Sequence, residues 1–84
     1  MNDISSSRKE ALKTALEARI QEVEYYQTNI DNYVLALEEI ATFSEEERLE
    51  LAEFVTQLTN LLASERLEQK KAKVMLAVVK KQVG

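Results

Sequence analysis

Apolar residues recur along this chain in alternating steps of four and three. In the first half the series runs Leu16, Ile20, Val23, Gln27, Ile30, Val34, Leu37 and Ala41, the spacing of a helix stripe that faces another helix. A second line, Leu12, Tyr26, Tyr33 and Ile40, lies beside it at spacings of seven or a multiple of seven. Together they form a face wider than one antiparallel neighbour needs, and the extra width predicts self-association. In the second half Leu51, Val55, Leu58 and Leu62 repeat the spacing, with Phe54 and Leu61 alongside. The pattern weakens after Ala63, where Glu65 and Gln69 occupy stripe positions, but continuous helix is expected there rather than a break at Ser64-Glu65-Arg66. Leu76 and Val79 then resume the stripe, while Leu67, Val74 and Val78 point to the opposite side. That second apolar side calls for a cover.

The midpoint decides how the two halves are arranged. Ser44 followed three residues later by Glu47 has the form of a capping box, in which serine and glutamate each satisfy a backbone N–H at a helix start. Glu45, Glu46 and Glu47 would occupy the first turn, where the positive end of the helix dipole favours carboxylates. The same signal stands at Ser7 and Glu10. Two such starts predict an all-α, coiled-coil-like antiparallel hairpin. Its expected parts are a frayed segment over 1–6, a first helix over about 7–42, a turn at about 42–44 and a second helix over about 45–82. Two hairpins would associate as a four-helix bundle. The rival architecture is one continuous helix in a coiled coil, because the stripe runs through Ser44 and Arg48 in register and neither Gly nor Pro interrupts the middle. Folding at the turn would set Tyr33 near Phe54, Tyr26 near Leu61 and Gln27 near Asn60.

Composition supports this reading and narrows the chemistry. With 84 residues, one Gly and no Pro, the chain is a single small domain with little loop, near the size at which one chain struggles to bury enough apolar surface. The net charge of −4 conceals an asymmetry. Seven Glu stand against one Arg between Glu38 and Glu53, whereas six Lys or Arg stand against one Glu from Arg66 onward. In a hairpin the closed tip is acidic, and the open end, where Arg8, Lys9 and Lys13 join the C-terminal lysines, is basic. Such a rod favours an antiparallel neighbour.

There is no His and no Cys, which removes the commonest general base, the thiolate nucleophile and the usual transition-metal ligands. No Gly-rich loop is present to cradle a phosphate. Neither catalysis nor a cofactor is expected. The polar N-terminal stretch lacks a signal-peptide core and no apolar run spans a membrane, so a cytoplasmic location is the expectation. The composition points to protein–protein binding: a small adaptor, assembly factor or inhibitor that occupies a partner's surface.

Three sets of residues are candidates. The acidic tip, Glu38, Glu39, Glu45, Glu46, Glu47 and Glu50, would steer onto a basic partner. A second surface comprises Leu67, Val74 and Val78 with Lys70, Lys71 and Lys73. Self-association is assigned to Leu16, Ile20, Val23, Tyr26, Ile30, Tyr33, Leu37, Phe54, Leu58 and Leu61. The alternative class is a nucleic-acid-associated bundle that uses the basic C-terminal helix, since phosphate contacts need little more than such a cluster.

Overall fold

The computed structural model describes residues 3–84, with side-chain surroundings from Ser6 onward. The regular structure of the described residues is all helical: α1 (Asp3–Ala41), α2 (Glu45–Glu50) and α3 (Ala52–Val83). Helices α1 and α3 pack antiparallel as an extended hairpin, 71 × 15 × 15 Å. The single-rod alternative is thereby excluded. Thirty-nine residues of α1 account for about 58 Å of the length at 1.5 Å per residue. Because α1 already starts at Asp3, Ser7 and Glu10 lie within it, and the expected capping box at the first helix start does not form. Met1 and Asn2, part of the segment expected to fray, lie outside the described residues.

The turn forms where the cap chemistry places it. Thr42 and Phe43 donate their N–H groups to the carbonyls of Glu39 and Ile40, both at 3.0 Å, which closes the end of α1. Ser44, extended at φ −65° and ψ 160°, then caps α2. Its Oγ accepts from the Glu47 N–H at 3.2 Å, and the Glu47 carboxylate accepts from the Ser44 N–H at 3.3 Å. Leu51, at φ −96° and ψ 8°, kinks the junction between α2 and α3 without breaking the ladder. Its N–H donates to the Glu47 carbonyl at 3.1 Å and its carbonyl accepts from Val55 at 2.9 Å. Helix α3 then continues without interruption through Ser64, Glu65 and Arg66.

The stripe of α3 is the expected one, and it persists through the polar stretch. Leu51, Val55, Leu58, Leu62, Glu65, Gln69, Ala72, Leu76 and Val79 are all buried or half-buried. On α1 the contact face is rotated by one flank. Leu12, Leu16, Arg19, Val23, Tyr26, Ile30, Tyr33, Leu37 and Ile40 face inward, whereas Ile20, Gln27 and Ala41 are exposed. The line read as a flank is therefore half of the inward seam. Two large tyrosines and Ile40 on that line offer more apolar area than Gln27 and Ala41 on the other, which favours turning them inward.

The pairing register also differs from expectation. Gln27 bonds to Gln69, not Asn60, and Tyr26 faces Glu65 and Glu68, not Leu61. Asn60, Leu61 and Phe54 are exposed, and the same shift removes Tyr33 from Phe54. The hairpin is paired about one heptad further along α3 because α2 and the Leu51 kink belong to the tip rather than to the paired length. A shift of one heptad keeps apolar residues opposite apolar residues, so the repeat alone does not forbid either register.

This architecture leaves a thin core. Ile30, Ile40, Leu58, Leu62, Ala72 and Val79 are buried, yet among the described residues no large side chain is fully enclosed. The chain exposes 6500 Å², against about 5,100 Å² for a compact monomer of its mass.

Candidate functional site

Several large apolar residues outside the two-helix seam are exposed. On one flank of α3, Phe54, Leu61 and Met75 recur at multiples of seven and are 45%, 45% and 41% exposed. Glu68 completes that row. Glu22 of α1 lies on the same side, because its helix phase puts it just outside the Val23 and Tyr26 seam on the flank that antiparallel packing sets beside the Glu68 row. In the heptad, Glu22 shares its flank with Ala36, which is half-buried toward the tip, whereas Phe43, also half-buried, lies in the turn beyond the end of α1. One side of the hairpin thus carries Phe54, Ala36, Leu61 and Met75 as a discontinuous apolar strip. Its middle is charged but locally neutralised. Arg19 pairs with Glu22 at 3.2 Å, and Lys71 with Glu68 at 3.3 Å.

The opposite side differs in kind. There α1 presents Ile20, Gln27, Val34 and Ala41, and the matching flank of α3 presents Thr59, Arg66, Lys73 and Lys80. The three cations are exposed. The back of α3, away from α1, carries Leu67, Val74 and Val78, exposed as the sequence pattern expects, with Lys70 and Lys71 beside them. Lys73 lies on the flank instead, so the second candidate surface divides between two faces of the helix.

The self-association residues divide as well. Leu16, Val23, Tyr26, Ile30, Tyr33, Leu37 and Leu58 are buried or half-buried in the seam within one chain. Of the expected set, Ile20, Phe54 and Leu61 remain exposed. Met75 was not singled out by sequence reasoning, although its place in the row of Phe54 and Leu61 was available as a signal.

At the tip, Glu38, Glu39, Glu45, Glu46, Glu47 and Glu50 are all exposed. Glu47 is occupied in the cap, where its Oε1 also accepts from the Ser44 hydroxyl at 2.9 Å. Helix α2 contains no buried residue, and Leu49 stands 72% exposed among these carboxylates. At the open end Arg8, Lys9 and Lys13 border a shallow groove with Leu12, Leu16, Gln82 and Val83.

Among the described residues, the side-chain hydrogen bonds between the two long helices come from Gln69. Gln69, almost wholly buried, donates from Nε2 to the Gln27 Oε1 and to the Val23 carbonyl. Close by, burial raises the Tyr26 phenol pKa above 10.0, helped by the charges of Glu68, Glu22 and Glu65 and by Tyr25. Tyr25 packs edge-on against it, with ring centroids 5.4 Å apart. Among the described residues no group of three or more His, Cys, Asp or Glu side chains is placed to hold a metal ion. No helix of the described residues is long and apolar enough to cross a membrane. Comparison with protein-family models, curated proteins and solved structures returned no match to this chain.

Proposed function

We propose that this hairpin is a non-enzymatic protein-interaction module that works as a self-associated four-helix bundle and occupies the surface of another protein. The observation that carries the proposal is the apolar surface left outside the seam, with Phe54, Leu61 and Met75 on one flank and Leu67, Val74 and Val78 on the back of α3. A two-helix unit has only one neighbour per helix, so residues outside that contact stay in water unless another chain covers them. The surface above that of a compact monomer is about 1,400 Å² per chain. Covering it in a pair would bury about 2,800 Å² in total, within the roughly 2,000–5,000 Å² range of permanent dimers. The acidic tip and the back of α3 remain available on such a bundle for a different protein.

A second reading is supported by the row Arg66, Lys73 and Lys80, whose spacing of seven places three exposed cations along one flank of α3. Such a stripe suits a nucleic-acid backbone. The net charge of −4 and the acidic tip weigh against it.

Two measurements test the proposal. Light scattering is expected to return twice the 9.6 kDa chain mass, and a clean monomer at micromolar concentration would reject self-association. Capture from a lysate, split into nuclease-treated and untreated halves, is expected to retain the same protein at near-equal stoichiometry in both. Loss of the retained material after nuclease would favour the second reading.

A further inference from the structure

Resting on the self-association proposed above, we infer which face the second copy covers and how it is turned. It packs on the side carrying Phe54, Leu61 and Met75, antiparallel, with each acidic tip beside the other copy's basic open end.

The face is selected by what lies at its middle. In a two-fold pair of elongated hairpins the residues halfway along the rod meet their own counterparts. On the chosen side those residues are Glu22 and Glu68, and each already bonds to a cation of its own helix, at 3.2 and 3.3 Å. Their self-encounter is therefore between neutralised pairs. On the opposite side α1 brings the uncharged Ile20 and Gln27 to the middle, but α3 brings Arg66, with Lys73 two turns on; both cations are exposed, and neither of the ion pairs found among the described residues includes them. Self-pairing there would bring like charges together. The chosen side also supplies the larger anchors, two of which lie in the tip half of the molecule.

The orientation follows from the ends. Between Glu38 and Glu53 each copy carries seven Glu and one Arg, so tips side by side would repel. Reversing one copy sets those carboxylates beside Lys9, Lys13, Lys80 and Lys81. The two exchanged contacts are identical, so the association closes at two copies rather than growing into a fibre.

The chain contains no cysteine, so a single spin label at Glu46→Cys marks each tip of the pair. The pulsed inter-label distance is expected to exceed about 45 Å, as for tips at opposite ends of a rod 71 Å long. A distance below about 30 Å would place the tips together and overturn the orientation. The face is tested separately with Leu61→Lys, Ile20→Lys and Val74→Lys, each checked for helicity by circular dichroism. Leu61→Lys is expected to weaken the dimer at least about tenfold while the other two leave it within about threefold. If Leu61→Lys remains as dimeric as the parent, or if Ile20→Lys is the variant that dissociates, the face is wrong although the dimer stands. A parent protein that is monomeric removes both this inference and the self-association on which it rests.

Discussion

Gln69 donates its side-chain amide to Gln27 Oε1 at 2.9 Å and to the Val23 carbonyl at 3.2 Å, tying the two long helices together across the seam. Gln69 is only 7% exposed, whereas Gln27 sits at the edge and also donates to Asp31 at 2.9 Å. A buried amide of this kind adds little net stability, but leaving it unpaired is costly. It therefore discriminates between registers. Shifted by one heptad, the same amide would lose its partner. Gln69→Leu is expected to raise the thermal midpoint, since it completes an apolar seam and leaves Gln27 free to bond with water. Gln69→Glu is expected to cost about 1–3 kcal/mol in denaturant unfolding, because a carboxylate cannot donate to either acceptor.

Glu65 interrupts the same seam less comfortably. Its Oε2 is buried without a hydrogen-bond partner, at the position where the heptad asks for an apolar residue. Replacing it should relieve a desolvation cost. Glu65→Leu is expected to stabilise the hairpin by about 1–3 kcal/mol, read by calorimetry at fixed protein concentration. A lower midpoint would mean that the carboxylate has a compensating partner in the assembled protein.

Loss of the Ser44 cap removes an acceptor that α2 has no other means of supplying at its start. Ser44→Ala is expected to lower stability by about 1 kcal/mol, with Ser44→Gly costing only a few tenths and Ser44→Asp close to the parent. Urea midpoints of the three variants check the order. Equal losses for Ala and Asp would show that the hydroxyl does not act as a cap.

The Tyr26 phenol titrates above its ordinary value of 10.0, chiefly because burial disfavours the phenolate and then because Glu68, Glu22 and Glu65 surround it. The raised value means that the folded state holds this proton more tightly than the unfolded chain does. The associated stability is fully present below about pH 10 and is lost as pH rises through the folded value. Phenolate absorbance of the parent minus that of Tyr26→Phe is expected to show a transition centred above 10.0. The Phe variant should also lose less stability in that alkaline window. A transition centred at or below the ordinary value would contradict both expectations.

Local signals made much of the fold legible. The Ser44–Glu47 box acts within four residues, so it forms wherever the chain is free to turn, and it does. The four-three spacing of Leu51, Val55, Leu58 and Leu62 carries its own helix phase, and the divergence of Leu67, Val74 and Val78 from it follows from that phase alone. The surfaces were less legible. The second candidate surface proved to straddle two faces because Lys73 sits one flank away from Lys70 and Lys71. Most residues assigned to self-association are consumed by packing within one chain, and only a partner helix in place separates those uses.

The sequence by itself determined the helical content, the cap signal at Ser44 and Glu47 and the charge asymmetry along the chain, because each depends on neighbours within a few residues or on a simple count; that the chain turns back at residues 42–44 instead of running on as one rod was decided by the structure. Tertiary structure decided the rest: that Tyr26, Tyr33 and Ile40 turn inward, that α2 and Leu51 form an unpaired tip, and that Gln27 meets Gln69 instead of Asn60. A heptad repeat looks nearly the same after a shift of seven residues or a turn of one flank. Register and face are settled only when all the layers between α1 and α3 are packed at once, and the few polar residues in the seam then decide which arrangement leaves the fewest of them without partners.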